Sequence, residues 1–225
     1  MNKGLGKTLT ILASVAIALF ILSLAIACPI YIRQFYYAQI QALNLPETTG
    51  YSEETMREAY DEMMDYCLGQ TEEFGTGQLT WSEEGRSHFE DCRGLFKLDA
   101  MVVLWSLIAL IFLSAMSRLY GTKPERIAGR GPLFWGPVIL LAAAIITTLL
   151  AARDFYKFFV VFHHTFFPGK DNWIFDPSKD EIIKILPEEF FRNCAILIVT
   201  VAIVLCIVCM ILDIAKGRRN PSAEK

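Results

Sequence analysis

The stretch that decides the fold is "NCAILIVTVAIVLCIVCMIL", residues 193–212, which carries no charged side chain. A helix needs about 20 consecutive apolar residues to cross the hydrocarbon core of a bilayer. Three more charge-free blocks precede it, at residues 9–32, 100–117 and 132–152. Because a chain in lipid must satisfy its backbone hydrogen bonds internally, each block is expected to be helical. The sequence therefore predicts an all-α membrane protein with four transmembrane helices.

The distribution of Lys and Arg predicts how these helices are oriented. The short link at residues 118–131 carries four basic residues against one acidic residue, and both tails are also net basic. Residues 33–99, by contrast, hold fourteen acidic and five basic residues. Because cytoplasmic loops are enriched in Lys and Arg, we expect residues 1–8, 118–131 and 213–225 in the cytoplasm. Residues 33–99 and 153–192 then lie outside, as a small helical cap on a single integral membrane domain.

The first block also allows a second interpretation, a cleaved signal peptide. Lys3 and Lys7 precede the apolar run, and "LAIAC" ends at Cys28 like a weak cleavage site. The apolar run continues through "PIYI", which favours an uncleaved helix that kinks or ends near Pro29.

Two helices are expected in the first outer segment. Ser52 is followed by two acids, which is typical of a helix start, and apolar residues recur at helical spacing up to Cys67. Ser82 is a second candidate cap, for a helix that runs on into the block at residues 100–117. His88 and Asp91 share a face of that helix. A disulfide between Cys67 and Cys92 is possible in this compartment.

The second outer segment contains "FFVVFHHTFFPGKDNWIFDPSKD", residues 158–180. The third transmembrane helix is expected to continue from residue 153 to residue 164 and to end before Pro168. His163 and His164 point about 100° apart on a helix, so only one of them can face a given site. Ser178 is a candidate cap for a short surface helix, "KDEIIKIL".

All three histidines are thus expected at the outer membrane interface, where imidazole can act as both base and acid near neutral pH. Interfacial histidines and aromatic residues can also simply contact headgroups, and turn aspartates usually cap local structure. Three histidines with Asp91 or Asp176 are a conceivable zinc set, but no pair has zinc-motif spacing. A non-catalytic membrane scaffold and a metal-dependent hydrolase therefore remain alternatives. No cofactor, metal or nucleic-acid partner is expected.

The run "FHHTFFPGKDNWIFDPSKDEIIKILPEEFF" resembles the signature of the lipoprotein intramolecular transacylase (Lit) family, which are bacterial four-helix integral membrane proteins. The matching positions are Phe162-His163, Phe166-Phe167, Trp173, Phe175-Asp176-Pro177, Asp180, Pro187 and Phe190-Phe191. A second element matches at His88, Asp91 and the following "RGLF". The family usually has an apolar residue and Lys where this chain has Cys92 and Arg93.

The resemblance implies an acyltransferase of the bacterial cytoplasmic membrane, with its active site at the outer leaflet. Its substrate would be a diacylated lipoprotein embedded in membrane lipid, whose sn-2 acyl chain moves to the lipoprotein's own α-amino group to give the lyso form. His88 and His163 would be the acid/base pair. The residues implied to bind or orient the substrate are Asp91, Phe162, Phe166, Trp173, Asp176 and Asp180.

Overall fold

The structure is a computed structural model that describes residues 3–219, and these residues form nine α-helices and no strand. The helices are α1 (Lys3–Tyr31), α2 (Arg33–Ala42), α3 (Leu45–Thr49), α4 (Glu53–Cys67), α5 (Glu83–Leu119), α6 (Pro132–Arg153), α7 (Phe155–Phe166), α8 (Ile182–Ile185) and α9 (Glu188–Arg219). Residues 1–2 and 220–225 of the two predicted cytoplasmic tails lie outside the described residues.

Four helices are long and apolar enough to cross a membrane, which confirms the four predicted transmembrane helices. They cover Gly4–Tyr31, Glu83–Leu119, Pro132–Arg153 and Glu188–Arg218. Large apolar side chains such as Trp105 and Phe112 on α5 are about two-thirds exposed, at 64% and 60%. A contiguous exposed apolar surface of this kind is what a bilayer would cover. Pro29 lies inside α1, which ends two residues later.

The chain divides into two compact units. The first contains the residues up to Ala27, Ala100–Thr148 and the residues from Ile198 onward. Its core includes Ile17, Ile21, Leu140 and Cys206. Gly136 permits close packing of α6 on α1, because a Cβ there would lie 2.8 Å from the Ser14 carbonyl oxygen.

The second unit contains Cys28–Asp99 and Leu149–Leu197. Ser52 caps α4, as predicted, because its Oγ accepts the Thr55 N–H at 3.1 Å. The sequence did not predict α2, which packs on α4 through Tyr36, whose ring stacks on Tyr60 with centroids 3.8 Å apart. Phe190 of α9 meets the Tyr36 ring edge-on at 5.5 Å.

Three local predictions are wrong. The third long helix does not continue to residue 164, because Asp154 adopts an extended conformation and its Oδ1 accepts the Lys157 N–H, starting α7. Ser178 caps no helix, since its N–H and hydroxyl both bind Asp176 Oδ1. The helix that follows is only Ile182–Ile185, and both of these isoleucines are buried instead of lying along a surface.

The two cysteines of the first outer segment form no disulfide, and both are free thiols. Cys67 Sγ lies 3.7 Å from the Phe89 carbonyl oxygen, and burial raises the pKa of this thiol to about 12. Cys92 Sγ instead lies 3.5 Å from a histidine, His88.

Candidate functional site

The structure brings together two histidines that are far apart in sequence, His88 of α5 and His163 of α7. Each side chain is buried with 6% exposure, and the ring centroids are 5.7 Å apart at an interplanar angle of 34°. His164 is exposed, as helical geometry predicted for the neighbour of a buried residue, and it meets the edge of the Trp173 ring at 5.7 Å. Both buried histidines belong to the second unit.

His163 is held by main chain on one side and by aromatic rings on its faces. Its Nδ1 lies 2.8 Å from the Phe159 carbonyl oxygen, which can only accept. The neutral imidazole therefore carries its proton on Nδ1, and Nε2 keeps its lone pair. The ring packs against Phe159 at 4.1 Å and stacks on Trp173 at 4.5 Å.

Burial lowers the pKa of His163 below its ordinary value of 6.5, and the charge of His164 lowers it further. The hydrogen bond to Phe159 acts in the opposite direction but does not outweigh burial. At a pH where an exposed histidine would be half protonated, more than half of His163 is consequently in the neutral, basic form.

His88 has a different environment. Its Nε2 lies 3.5 Å from Cys92 Sγ, while its Nδ1 is buried and has no hydrogen-bond partner in the described chain. The rings of Phe167 and Phe175 meet it edge-on at 5.0 and 5.5 Å. A positive charge on His88 would lose most of its hydration in this apolar setting.

Asp91 hydrogen-bonds neither buried histidine in the described structure. Its Oδ1 accepts Lys170 Nζ at 2.5 Å, and its Oδ2 accepts Asn172 Nδ2 at 3.0 Å. Trp173 follows Asn172, and its indole N–H donates to the Lys170 carbonyl oxygen at 3.1 Å. Through these two contacts, Asp91 of α5 holds in place the loop that carries Trp173, whose ring stacks on His163.

Phe162 and Phe166 lie on the exposed side of α7, one turn apart. Their ring centroids are 4.6 Å apart, and Phe162 meets the His163 ring edge-on at 5.5 Å. The two side chains are 39% and 49% exposed. They offer an apolar surface next to the buried histidine.

The two remaining predicted aspartates make local structural contacts. Asp180 is buried, and its carboxylate accepts the Ser82 N–H at 2.8 Å and the Ser82 hydroxyl at 2.9 Å. Ser82 Oγ accepts the Gly85 N–H at 3.0 Å, so it caps α5 as predicted. Asp176 is exposed, and its carboxylate binds only Ser178 among the described residues.

Three residues of this site were not among the predicted site residues: Phe175, Lys170 and Asn172. Cys92 was considered only as a disulfide partner and as a departure from the family pattern. Phe175 was visible only as part of the family signature, and Lys170 and Asn172 have no periodicity or motif that marks them. Among residues 3–219, no group of three or more His, Cys, Asp or Glu side chains has a geometry that would hold a metal ion.

Comparison with known proteins places this arrangement in a family. The sequence profile of the family described as lipoprotein intramolecular transacylase Lit matches residues 11–191. The structure of the membrane integral lipoprotein intramolecular transacylase Lit from Bacillus cereus aligns with a TM-score of 0.85 at 27% identity, covering 96% of this chain and 99% of that one.

Two structures of Bacillus cereus Lit variants also align. The variant in which a histidine is replaced by arginine has a TM-score of 0.81 at 26% identity, covering 99% of this chain and 96% of that one. The variant with alanine in place of a histidine has a TM-score of 0.80 at 27% identity, covering 96% of each chain. Comparison with curated protein sequences gives no match. The family profile covers most of the chain and the aligned structures cover nearly all of it, so this integral membrane protein belongs to the lipoprotein intramolecular transacylase Lit family.

Proposed function

We propose that this transacylase moves the sn-2 acyl chain of a diacylglyceryl-cysteine lipoprotein to that cysteine's own α-amino group by histidine acid/base catalysis. Family membership supplies the general reaction. The observation that carries the mechanism is the pair of buried imidazoles, His88 and His163, with centroids 5.7 Å apart.

The proposed step needs no nucleophile from the protein. The amine nitrogen attacks the ester carbonyl carbon and forms the amide bond, and the bond from that carbon to the glyceryl oxygen breaks. One proton leaves the nitrogen and one proton arrives at the glyceryl oxygen, which gives the N-acylated lyso form. Because both reacting groups belong to one substrate molecule, holding them together supplies a large proximity effect without an acyl-enzyme.

His163 is the residue best prepared to accept the amine proton. Its Nδ1–H is committed to the Phe159 carbonyl oxygen, which leaves the Nε2 lone pair for the substrate. Its lowered pKa favours the neutral ring over the charged one as the amine approaches. Proton transfer by a positioned base of this kind contributes about 10²–10⁴-fold in rate.

His88 is then assigned to stabilise the developing oxyanion. If its Nε2 accepts the Cys92 S–H, its buried Nδ1 carries the proton and can donate a hydrogen bond to that oxygen. The proton that His163 takes from the amine then passes to the departing glyceryl oxygen, which leaves both histidines neutral. The Trp173 indole N–H is already committed to the Lys170 carbonyl oxygen, which favours the histidine as donor.

The remaining predicted residues are assigned to substrate contact and positioning. Phe162 and Phe166 contribute apolar surface for an acyl chain. Asp91 positions the loop that carries Trp173, while Asp176 and Asp180 maintain the local shape of the second unit.

We place the protein in the bacterial cytoplasmic membrane, with both termini inside. The spans would be residues 9–32, 100–117, 132–152 and 193–212, and residues 33–99 and 153–192 would form the extracytoplasmic cap. The support is the excess of basic residues in 118–131 and of acidic residues in 33–99. The active site would then lie at the outer leaflet, where the glyceryl esters of a diacylated lipoprotein are found.

Mass spectrometry of a lipoprotein's N-terminal peptide tests the proposal. In cells that make diacyl lipoproteins, adding this protein is expected to convert the diacylglyceryl form to the N-acylated lyso form. His88→Asn and His163→Asn should each abolish conversion, and the exposed neighbour variant His164→Asn should retain it. Unchanged diacylglyceryl-cysteine with the wild-type protein would refute the function. Loss of activity on chelation would instead favour a metal-dependent enzyme.

A further inference from the structure

Two buried polar atoms of the second unit have no hydrogen-bond partner in the described chain. One is His88 Nδ1, and the other is the side-chain oxygen Oδ1 of Asn172. A buried hydrogen-bonding atom left without a partner costs about 1–3 kcal/mol, so native structures rarely contain one unless a ligand or water meets it. Asn172 is not used by the chemistry described above.

The orientation of the Asn172 amide is fixed by its neighbours. Its Nδ2 lies 3.0 Å from Asp91 Oδ2 and 3.3 Å from Ser87 Oγ. The Asp91 carboxylate also accepts a hydrogen bond from Lys170 and can act only as an acceptor. The Asn172 amide must therefore direct its nitrogen, and not its oxygen, toward Asp91. The orphan atom is therefore the oxygen, which can only accept a hydrogen bond.

Asn172 is also tied to both histidines through its immediate neighbours. Ser87, which it contacts, directly precedes His88 in α5. Trp173, which follows it, stacks on His163 at 4.5 Å. An acceptor fixed next to residues that contact both histidines is available to the N–H or O–H group of a ligand or of water.

We propose that Asn172 Oδ1 binds the α-amino group of the substrate cysteine, as the acceptor for one of its N–H bonds. The inference rests on the proposed function and adds the subsite that holds the nucleophile. A neutral primary amine has two N–H bonds and one lone pair. With one N–H on Asn172 Oδ1 and the other on His163 Nε2, the lone pair is left to attack the ester carbonyl.

A substrate with an N-methylated α-amine tests this assignment on the wild-type protein. It retains one N–H for the base and can still be acylated, but it offers a methyl group to Asn172 Oδ1. With synthetic diacylglyceryl-cysteine peptides in liposomes, wild-type protein should disfavour the methylated peptide by about 10-fold or more beyond the difference in uncatalysed reactivity. Equal rates for the two peptides would overturn the proposal.

The Asn172→Ala variant is assayed with the same two peptides. It should lose activity on the primary amine by about 10-fold or more, because the hydrogen bond from the amine to Asn172 Oδ1 is removed. It should lose little on the methylated peptide, which cannot form that hydrogen bond in the wild-type protein either. Ser87→Ala is the control, since it removes a partner of Nδ2 but leaves Oδ1 in place, and it should keep the wild-type preference for the primary amine over the methylated amine. An equal loss on both peptides would make Asn172 a structural residue and refute the assignment. If wild-type protein acylated neither amine, the proposed function itself would fail.

Discussion

Asp180 is expected to stabilise the start of α5 and to have no part in proton transfer. Its buried carboxylate accepts two donors of Ser82, the backbone N–H at 2.8 Å and the hydroxyl at 2.9 Å. Each hydrogen bond to a charged group contributes about 1.5–3 kcal/mol, although the two are not additive. We expect Asp180→Ala to lower the free energy of unfolding by about 3 kcal/mol, which corresponds to roughly 6–12 °C in Tm for a chain of this size.

Gly85 gives a second way to disturb the same contact. A Cβ at position 85 would collide with Asp180 Oδ1 and lie 3.1 Å from the Phe175 ring. Gly85→Ala should therefore destabilise the wild-type protein. In the Asp180→Ala background the collision with the carboxylate is absent and only the close approach to Phe175 remains, which the higher helix propensity of Ala, about 1 kcal/mol, partly offsets, so the same change should cost less there than in the wild-type protein.

Thermal unfolding of the four proteins in detergent measures this cycle, and Asp176→Ala is the control because its carboxylate is exposed. The control should change the free energy of unfolding by about 1 kcal/mol or less. Conversion of lipoprotein by Asp180→Ala, assayed well below its lowered Tm, should stay close to wild type. An equal cost of Gly85→Ala in both backgrounds, or loss of conversion in a fully folded Asp180→Ala protein, would refute the reasoning.

Three further outcomes are expected. Because burial lowers the pKa of His163, the acidic limb that it contributes to the pH–rate profile should lie below pH 6.5, and a limb above that value would contradict the role of burial. Hydrogen bonds from the Thr80 N–H, Tyr51 and Lys184 lower the pKa of Glu181 from 4.5 to about 2. The stabilisation that the Glu181 carboxylate contributes should therefore be lost as the pH falls from 4.5 to about 2. Thermal unfolding of Glu181→Gln should show less acid dependence there than wild type. Gly136→Ala should overpack the contact between α6 and α1, lower the free energy of unfolding by about 1–3 kcal/mol and so lower Tm. An unchanged Tm would show that α6 can shift to make room for the methyl group.

The transmembrane helices and helix starts were predictable because their signals are local. A charge-free block such as residues 193–212 has few structural alternatives in a chain of this composition. Ser52 and Ser82 cap helices through bonds to residues three positions along, which the sequence displays directly. The failed helix start at Ser178 has a local cause too, since Asp176 competes for both its donors.

Topology placed all three histidines at the outer interface, but only the family resemblance selected His88 and His163 as a pair, since nothing in the periodicity of α5 or α7 relates them. The contacts of Asp91 with Lys170 and Asn172 were not predictable at all. These polar contacts join residues distant in sequence, and their partners are selected by tertiary packing and not by spacing. The amphipathic helix α2 was missed for a related reason, because its buried face consists of Tyr36 and Ile40 and becomes recognisable only against its packing partners.

The aromatic surroundings of the histidine pair solve a problem that the proposed reaction creates. An α-amino group has an ordinary pKa of about 7.7–8.0, so in water near neutral pH most of it is an ammonium ion that cannot attack. Burial between Phe159 and Trp173 disfavours the charged form of His163, and the same apolar walls would disfavour an ammonium ion beside it. The site would therefore select the neutral amine together with the neutral base, and the proton becomes mobile only as the amide bond forms. Replacing Phe159 or Trp173 with a small side chain that admits water should therefore weaken catalysis even where both histidines keep their positions.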